Sequence, residues 1–257
     1  MILAIDIGNT HTVVAIFRSQ RLVESWRLSS TLTHTADEDW IAVKLLCQDA
    51  GLDTAGIEGV VIGSVVPDRT AGFCQMAERY LQCKPLVVSY DLDLGLRLLI
   101  DEPAQLGADR ICNAVAGRAL FSLPQVIVDL GTATTFDVLD ANGDYIGGAI
   151  APGMITGSQE LTRRAAQLYK IPLRFPARLV GKNTVEHMQS GIFGGHIAMI
   201  EGLCDRMRRE LNWDHMHVIA TGGLSGEIAR HSILISASNV NLTIEGLRLI
   251  YERNCRH

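Results

Sequence analysis

One pattern occurs twice in the sequence, about half a chain apart. Residues 3–17 read LAIDIGNTHTVVAIF and residues 126–140 read VIVDLGTATTFDVLD, with Asp6 and Asp129 separated by 123 positions. Each copy has an apolar run, then Asp-x-Gly, then small hydroxyl residues, then a second run rich in β-branched residues. A long internal repeat indicates two related structural units. The repeat therefore predicts two halves that both open with a strand, a turn and a second strand.

Each copy is expected to continue into a third strand. Residues 141–144 read ANGD, a hairpin signal that leads into the β-rich residues 145–150. In the first half, residues 18–20 precede a run at 22–28 that also favours a strand. Both halves are therefore predicted to begin with a three-stranded meander.

Helices and strands are predicted to alternate after each meander. Thr35 and Glu38 form a capping-box pattern, and the helix that follows is expected to end near Gly51. Further predicted elements are a strand at 60–62, a helix after Pro67, a strand at 86–88, a helix carrying Ile200, Leu203, Met207 and Leu211 at helical spacing, a strand at 217–220 and a closing helix at 242–253. This order predicts an α/β fold with mixed sheets flanked by helices. The predicted boundary lies near 121–124, which gives domains 1–121 and 122–257.

Composition excludes several classes of protein. The 257 residues include 23 Lys+Arg and 28 Asp+Glu, a net charge of −5, and 47% are hydrophobic. A disordered chain would be poorer in apolar residues, and a nucleic-acid binder would carry a basic excess. The first six residues contain no Lys or Arg, and no apolar run approaches the ~20 residues of a membrane span. We therefore expect a cytoplasmic protein with no membrane or nucleic-acid partner.

The six cysteines predict free thiols. They are Cys47, Cys74, Cys83, Cys112, Cys204 and Cys255, and none forms a C-x-x-C pair. A chain of this length needs no disulfide to fold. We expect a reduced chain without structural zinc.

Two Asp-x-Gly turns are candidate phosphate-binding loops. Glycine lets the backbone approach a phosphate closely, and consecutive N–H groups can form an anion-binding nest. Asp6 and Asp129 cannot hold a phosphate themselves, but each can hold a cation that neutralises one. A single such turn is equally consistent with a plain hairpin, whereas two equivalent copies favour a nucleotide between two related domains. Residues 221–223, Thr-Gly-Gly, follow a strand and either simply turn the chain or let an adenosine lie against the backbone.

The order of six motifs resembles that of the type III pantothenate kinases. These enzymes belong to the acetate and sugar kinase, heat-shock chaperone and actin superfamily. The motifs are D-x-G-N-T at 6–10, G-A-D-R at 107–110, D-x-G-T-A-T at 129–134, G-G-A-I-x-P-G at 147–153, G-K-N-T at 181–184 and T-G-G at 221–223. The resemblance extends from about residue 3 to residue 250. It implies a duplicated ribonuclease H-like fold with a nucleotide cleft between two mixed sheets.

The resemblance also implies a reaction and its residues. The reaction is transfer of the ATP γ-phosphate to the 4′-hydroxyl of pantothenate, the first step of coenzyme A synthesis, with Mg²⁺ and a monovalent cation, K⁺ or NH₄⁺. Asp129 would bind the monovalent cation, and Asp109 would be the catalytic base. The implied ATP-binding residues are Asp6, Ile7, Gly8, Asn9, Thr10, His11, Thr12, Val13 and Thr132; the implied pantothenate-binding residues are Gly107, Ala108, Asp109, Arg110 and Thr184. Thr184 would act in a homodimer, as the family is dimeric.

The residue chemistry of Asp109 is consistent with that role. A carboxylate with an ordinary pKa of ~3.9 is a weak base toward an alcohol, but in phosphoryl transfer the hydroxyl becomes acidic only late. A carboxylate that orients the hydroxyl and accepts its proton late is then sufficient. Without the surrounding motifs, Asp109 and Arg110 would simply be a salt bridge at a helix start.

One position departs from the family pattern. Family members often carry an aromatic residue, commonly Tyr, shortly before an Asn-Pro that precedes G-A-D-R. Here Ile100 stands where the aromatic is expected, and Glu102 precedes the proline. An apolar Ile100 could still pack against the gem-dimethyl group of pantothenate.

Other polar residues are expected to lie at surface, packing or turn positions and not in a site. His215 and His217 share a strand face but have no third metal ligand in the pattern, and His187 and His196 are expected to be surface or packing residues. Arg163, Arg164 and residues 206–209 are expected to lie on solvated helix faces, and Asp137, Asp140 and Asp144 are expected to be turn residues.

Two alternatives to a pantothenate kinase remain. The same fold could phosphorylate another acceptor, such as a sugar or an acyl phosphate, although the motif order argues against it. A non-catalytic, nucleotide-sensing relative should have lost the base or a phosphate loop, yet Asp6, Asp109, Asp129 and Thr184 are all present.

Overall fold

The computed structural model describes residues 1–255 of the chain. Its strands are β1 (Ile2–Ile7), β2 (His11–Arg18), β3 (Arg21–Ser29), β4 (Gly59–Ser64), β5 (Leu86–Val87), β6 (Gln125–Leu130), β7 (Ala133–Leu139), β8 (Tyr145–Pro152), β9 (His217–Thr221) and β10 (Ile235–Ser238). Its helices are α1 (Ala36–Asp49), α2 (Pro67–Tyr80), α3 (Ala108–Leu120), α4 (Met154–Arg164), α5 (Thr184–Gln189), α6 (Gly195–Glu210), α7 (Ser225–Ala229) and α8 (Leu242–Cys255). A π-helical turn, Ser190–Gly194, joins α5 to α6.

The two sheets have the same strand order. One is β3-β2-β1-β4-β5, and the other, taken in the equivalent direction, is β8-β7-β6-β9-β10. In each sheet the first strand of the repeat pairs antiparallel with the second and parallel with a later strand. The predicted meanders are confirmed, and so is the ribonuclease H-like fold of two mixed sheets with helices.

The turns between the repeated strands differ by one residue. In the first sheet Ile7 pairs with Thr12, and in the second Leu130 pairs with Thr134. The first turn therefore has one more residue than the second, and equivalent positions lie 123 apart before the turn but 122 apart after it. Thr12 and Thr134 are structural counterparts, a match that the constant sequence offset does not give.

Local sequence signals begin the helices of the first half. The side chain of Thr35 accepts the backbone N–H of Glu38 at 3.3 Å, and Glu38 accepts the backbone N–H of Thr35 at 2.8 Å. This is the predicted capping box at the start of α1. Pro67 occupies the first turn of α2, where its missing N–H is not needed.

The first sheet has a buried core on each face, because successive side chains of a strand point to opposite sides. One core joins Leu3, Ile5 and Ile7 to side chains of α1 and α2; the other joins Ile2 and Ala4 to Ile111 of α3 and Leu247 of α8. Asp6 continues the second row, so its side chain projects from the face that α3 and α8 cover.

The second sheet packs one face against α6. Val126, Val128 and Leu130 of β6 lie in a core with Ile197 and Cys204 of α6. Asp129 alternates with these residues and therefore projects from the opposite face of the sheet.

The chain divides into two compact units. The first comprises residues 1–120 and the chain from Asn241 onward, and the second is Phe121–Val240. These units differ from the predicted domains 1–121 and 122–257 in the placement of α8. Gly246 explains why α8 packs in the first unit: a Cβ at this position would lie 2.7 Å from Cα of Cys112, so only glycine permits the close approach of α8 to α3.

The prediction that Asp137 is a turn residue is wrong. Asp137 lies within β7 with no exposed surface, and its carboxylate accepts the hydroxyl of Tyr145 at 3.0 Å. Asp144 is also buried. Asp140 is a turn residue as predicted, since its carboxylate accepts the backbone N–H groups of Asn142 and Asp144. The hydrogen bond from Tyr145, on the next strand, makes burial of Asp137 possible.

The six cysteines are free. No helix within residues 1–255 is both long and apolar enough to cross a membrane.

Candidate functional site

The turn after β1 is built around Gly8. Its backbone N–H donates to the carbonyl of His11 at 3.0 Å, which closes the turn. A Cβ on Gly8 would lie 3.0 Å from the same carbonyl oxygen, so the tight turn favours glycine. Asn9, Thr10 and His11 are exposed at the tip, where backbone groups are accessible to a ligand.

The other residues predicted to bind ATP in the first unit support the turn from within. Ile7 is fully buried, Val13 packs against the core on the α3 side, and the buried hydroxyl of Thr12 pairs with that of Ser30 at 2.9 Å. Among residues 6–13, the exposed tip residues are thus the most accessible to a ligand.

Asp109 lies in the first turn of α3. Its Oδ1 accepts the backbone N–H of Arg110 at 2.8 Å, which fixes the carboxylate against the helix start. A Cβ on Gly107 would lie 2.5 Å from Asp109 Oδ1 and 3.4 Å from Cγ1 of Val65. Glycine at 107 therefore leaves space for the carboxylate, and Ala108 anchors the turn by being buried.

Asp6 and Asp109 come together around Cys112. Burial raises the pKa of the Cys112 thiol well above its ordinary value, and the negative charges of Asp6 and Asp109 raise it further. Both carboxylates are thus near the same thiol, although 103 residues separate them in sequence. Gly63 on β4 pairs with Asp6 and faces the same thiol, since its Cβ would lie 3.7 Å from Cys112 Sγ. A motif on β1 and a motif on α3 therefore both face the region around Cys112.

A cavity of about 450 Å³ in the first unit adjoins this region. It lies over the start of α2 and is lined by Ser64, Val65, Pro67, Thr70, Ala71 and Cys74. Val65 belongs to this lining and also faces Gly107. These residues form no recognisable sequence motif, although the strand end followed by Pro67 marks the loop that forms the cavity.

The turn after β6 is held by the start of α4. Gly131 donates its N–H to the carbonyl of Ala133 at 3.0 Å, the counterpart of the Gly8 bond. The carbonyl of Thr132 accepts the N–H of Gly153 at 3.1 Å and the hydroxyl of Thr156 at 2.7 Å. A Cβ on Gly153 would lie 2.8 Å from the carbonyl carbon of Thr132. The glycine of the P-G pair at 152–153 therefore supports the loop that exposes Thr132.

Asp129 lies against the T-G-G motif. Gly222 has a φ of +87°, and a Cβ there would lie 2.7 Å from Asp129 Oδ1 and 2.8 Å from the carbonyl oxygen of Leu130. Glycine is needed both for the left-handed conformation and for the close approach. The T-G-G residues thus border the Asp129 carboxylate, a contact that the sequence analysis did not predict.

Thr184 is the first residue of α5 and is exposed. Asn183 caps this helix by accepting the N–H of Glu186 at 3.0 Å, and Glu186 accepts the N–H of Lys182 at 2.9 Å. The G-K-N-T motif therefore builds a rigid helix start that presents Thr184. The backbone N–H of Lys182 and the side-chain amide of Asn183 both donate to the Glu186 carboxylate and hold its pKa below its ordinary value.

Within residues 1–255, no group of three or more His, Cys, Asp or Glu side chains is arranged to hold a metal ion. A cation at Asp6 or Asp129 would therefore draw its remaining ligands from hydroxyls, backbone carbonyls, water or phosphate.

The fold and the paired turns define the class of the protein. Two sheets of equal strand order, each with an Asp-x-Gly turn at its first hairpin, are the architecture of the actin-like kinases and ATPases. Solved structures of this fold include the activator of 2-hydroxyisocaproyl-CoA dehydratase from Clostridium difficile with bound ADPNP (TM-score 0.58, 13% identity, 96% of this chain and 92% of that chain). Component A of (R)-2-hydroxyglutaryl-CoA dehydratase from Acidaminococcus fermentans is also similar (TM-score 0.55, 12% identity, 97% and 96% covered).

Sequence comparison gives the particular family. The type III pantothenate kinase family model matches residues 2–206. The type III pantothenate kinase of Thermomicrobium roseum is 46% identical over 253 residues, 98% of this chain and 97% of that protein. That of Moorella thermoacetica is 44% identical over 254 residues, 99% of this chain and 100% of that protein. The chain belongs to the type III pantothenate kinase family.

Proposed function

We propose that this chain transfers the γ-phosphate of ATP to the 4′-hydroxyl of pantothenate, the first step of coenzyme A synthesis. Full-length similarity to type III pantothenate kinases supports the reaction. The observation that supports the residue assignment most directly is that Asp6, through its strand partner Gly63, and Asp109 both face the Cys112 thiol, because one acid belongs to the proposed phosphate loop and the other to the proposed acceptor pocket.

Asp109 is the proposed catalytic base. Its Oδ1 is held by the N–H of Arg110, which orients the carboxylate toward the space that Gly107 leaves open. In a loose phosphoryl-transfer transition state the attacking hydroxyl loses its proton late, so an ordinary carboxylate is basic enough. Positioning the hydroxyl and accepting its proton together account for about 10²–10⁴ in rate.

The two turns are the proposed ATP phosphate loops. Asp6 to Val13 supply the first, with the exposed Asn9, Thr10 and His11 at its tip, and Thr132 supplies the second. Glycine turns with accessible N–H groups suit phosphate oxygens. Asp6, one of two carboxylates near Cys112, fits a role in holding Mg²⁺, which when bound neutralises charge on the transferring phosphate.

Asp129 is the proposed site of the monovalent cation. Its carboxylate and the carbonyl of Leu130 both lie close to Gly222, so two oxygen atoms are available on this side of the turn. Potassium is bound by carbonyl and carboxylate oxygens, and ammonium donates hydrogen bonds to the same groups. When bound, the cation supplies positive charge near the phosphates.

Pantothenate is proposed to bind at Gly107, Ala108, Asp109 and Arg110, with a further contact from Thr184. Arg110 has the fork of donors that suits a phosphate or carboxylate. Ile100 is half-buried in the segment before α3 and offers an apolar wall to the gem-dimethyl group.

A homodimer is proposed as the assembled form. The second unit exposes apolar side chains of β8 and α4 and of the segment after α4: Ile150 is 66% exposed, Ile155 46%, Leu161 41% and Tyr169 55%. Exposed apolar side chains concentrated in one stretch of chain are typical of protein–protein interfaces. Light scattering should give about twice the mass of the 28.0 kDa chain, and a monomer mass would contradict this assignment.

The two alternatives are not favoured. A non-catalytic, nucleotide-sensing relative would not need the Asp109 arrangement, and the curated relatives are kinases that match nearly the full chain. Another acceptor would have to fit the same pocket at Gly107.

A coupled kinase assay tests the proposal. We expect ATP-dependent phosphorylation of pantothenate in potassium or ammonium with Mg²⁺, and little with sugars or acetate. Replacing potassium by sodium should slow turnover at least about tenfold, the equivalent of ~1.4 kcal/mol. Asp129→Asn should remove this cation dependence while the protein stays folded. Equal rates in sodium would contradict the cation role, and a sugar as best acceptor would contradict the reaction.

A further inference from the structure

Thr221 has a buried hydroxyl that the fold does not satisfy. The residue is 1% exposed at the end of β9, and within the described part of the chain its Oγ1 has no hydrogen-bond partner. Buried side-chain oxygens in native proteins nearly always have a partner, and an unsatisfied one destabilises the fold. An unsatisfied buried hydroxyl at a strand end is therefore a sign that a ligand completes it.

The hydroxyl lies beside Asp129. Thr221 is paired with Asp129 in the parallel register of β9 and β6, so both side chains project from the same face of the sheet. The next residue, Gly222, also lies against Asp129. Because glycine has no side chain, Asp129 Oδ1 and the carbonyl oxygen of Leu130 can approach its backbone closely. The carboxylate of Asp129 and the carbonyl of Leu130 thus lie close to Gly222, and the hydroxyl of Thr221 is on the residue before it, on the same face of the sheet as Asp129.

We propose that Thr221 Oγ1 is a second side-chain ligand of the monovalent cation held by Asp129. This inference rests on the proposed cation role of Asp129. A hydroxyl oxygen has lone pairs that coordinate K⁺ and that accept hydrogen bonds from NH₄⁺, so it serves both ions. It adds an oxygen without adding negative charge, and one carboxylate with neutral oxygens suits a singly charged ion better than a divalent one.

The first unit provides a comparison within the chain. There the residue paired with the strand-end acid Asp6 is Gly63, which has no hydroxyl, and its neighbours are Leu247 and the protonated thiol of Cys112. The hydroxyl ligand is thus present in one unit and missing in the other, which assigns the monovalent cation to the second.

Thermal unfolding at constant ionic strength tests the inference without relying on turnover. Choline chloride is replaced stepwise by potassium chloride, with and without a non-hydrolysable ATP analogue and Mg²⁺. A ligand that binds the folded state raises the midpoint with its concentration, so the titration gives an apparent affinity. The variants are Thr221→Val, which keeps the shape but loses the hydroxyl, and Thr221→Ser, which keeps the hydroxyl. Thr243→Val is the matched control, because it removes a hydroxyl bonded to Asn113 in the first unit.

Thr221→Val should be at least as stable as the wild type in choline, because it removes an unsatisfied polar atom. In potassium it should lose most of the stabilisation, with the half-saturating concentration raised at least about tenfold. Thr221→Ser should stay within about threefold of the wild type, and Thr243→Val should keep the wild-type affinity.

Different results would overturn the cation site at Asp129 and the role of Thr221. If the wild type gains nothing from potassium in either condition, the cation site and the role of Thr221 are both overturned. If the wild type responds and Thr221→Val responds equally, Thr221 alone is overturned and Asp129 keeps its role. A loss shared by Thr221→Ser would also contradict ligation by the hydroxyl.

Discussion

Asp6 and Asp129 occupy equivalent positions in two copies of one sheet, yet their surroundings differ. Asp6 is paired with Gly63 and shares the space around Cys112 with Asp109. Asp129 is paired with Thr221 and lies against Gly222. The first acid therefore shares a neighbouring thiol with a second carboxylate, and the second acid has neutral oxygens nearby.

This difference separates two kinds of cation chemistry. Two carboxylates near one another attract a divalent ion, whereas one carboxylate with hydroxyl and carbonyl oxygens suits a singly charged ion. The two acids lie at equivalent strand ends of the repeated fold. The residues on the neighbouring strand and helix give these two strand ends different surroundings. In the roles proposed above, what distinguishes the two acids is their partners and not the Asp-x-Gly motif itself.

The largest effect is expected from replacing Asp109, because the site at Asp129 has no equivalent second carboxylate. Asp109→Asn should lower kcat about 10²–10⁴-fold, because the hydroxyl loses its proton acceptor. The KM for ATP and the potassium dependence of stability should change little, as Asp129 is intact. Steady-state kinetics and potassium titration of the same preparation check both statements.

An unchanged kcat in Asp109→Asn would contradict its role as base and remove the proposed distinction between the two acids. Asp129→Asn is the matched control. It should lose the potassium dependence of stability that Asp109→Asn keeps.

A smaller effect is expected from making the first site resemble the second. Gly63→Thr should lower the free energy of unfolding by about 1–3 kcal/mol, because its side chain would be forced against neighbours of α3 and α8. The Cβ alone would lie 3.0 Å from Cδ2 of Leu247 and 3.7 Å from Cys112 Sγ. Urea denaturation measures the change.

Gly202→Ala is the control for that substitution, because no atom lies within 4 Å of its added Cβ and it is within α6. It should be neutral or stabilise by up to about 1 kcal/mol. Equal behaviour of the two variants would show that the space beside Asp6 tolerates a side chain.

The smallest effect concerns pH and the threonines that follow the two turns. Thr12 pairs with Ser30, which does not titrate, whereas Thr134 pairs with His196 at 3.0 Å. Burial lowers the pKa of His196 below its ordinary value of 6.5. The unfolded chain therefore binds a proton at higher pH than the folded chain, and this contribution lowers stability as pH falls below about 6.5.

Urea denaturation between about pH 7.5 and pH 5.5 should show a slope that His196→Gln reduces. Thr12→Ser should leave the slope unchanged, because no titrating group is involved. A slope that survives in His196→Gln would assign the pH dependence to other groups.

Much of the fold followed from the sequence because its signals are local. The capping box at Thr35, the helical spacing in α6 and the apolar runs of β1 and β6 need no tertiary information. The sequence analysis did not identify α7 or β10, whose short lengths carry too little periodicity. Asp137 was misassigned since its partner Tyr145 lies on another strand.

The site was predictable as motifs but not as an arrangement. The repeated turns indicated that Asp6 and Asp129 are chemically important and that Gly131 is a turn residue, whereas the role of Asp109 came from the resemblance to type III pantothenate kinases. The sequence could not indicate that Asp6 and Asp109 would both act on the Cys112 thiol, or that Gly153 would donate a hydrogen bond to the carbonyl of Thr132. These contacts depend on which helix covers which face of a sheet. The sequence showed Thr221 only as the residue before two glycines. Its missing hydrogen bond is a property of the folded chain.

The return of α8 to the first unit has a consequence for synthesis on the ribosome. The core beneath Ile2 and Ala4 includes Leu247, so that half of the molecule cannot complete its interior until nearly the whole chain has been translated. Residues 121–240 form one continuous stretch and can close their interior earlier. The portion made first is therefore finished last, and during translation it exposes apolar surface to chaperones for longer than the portion made after it.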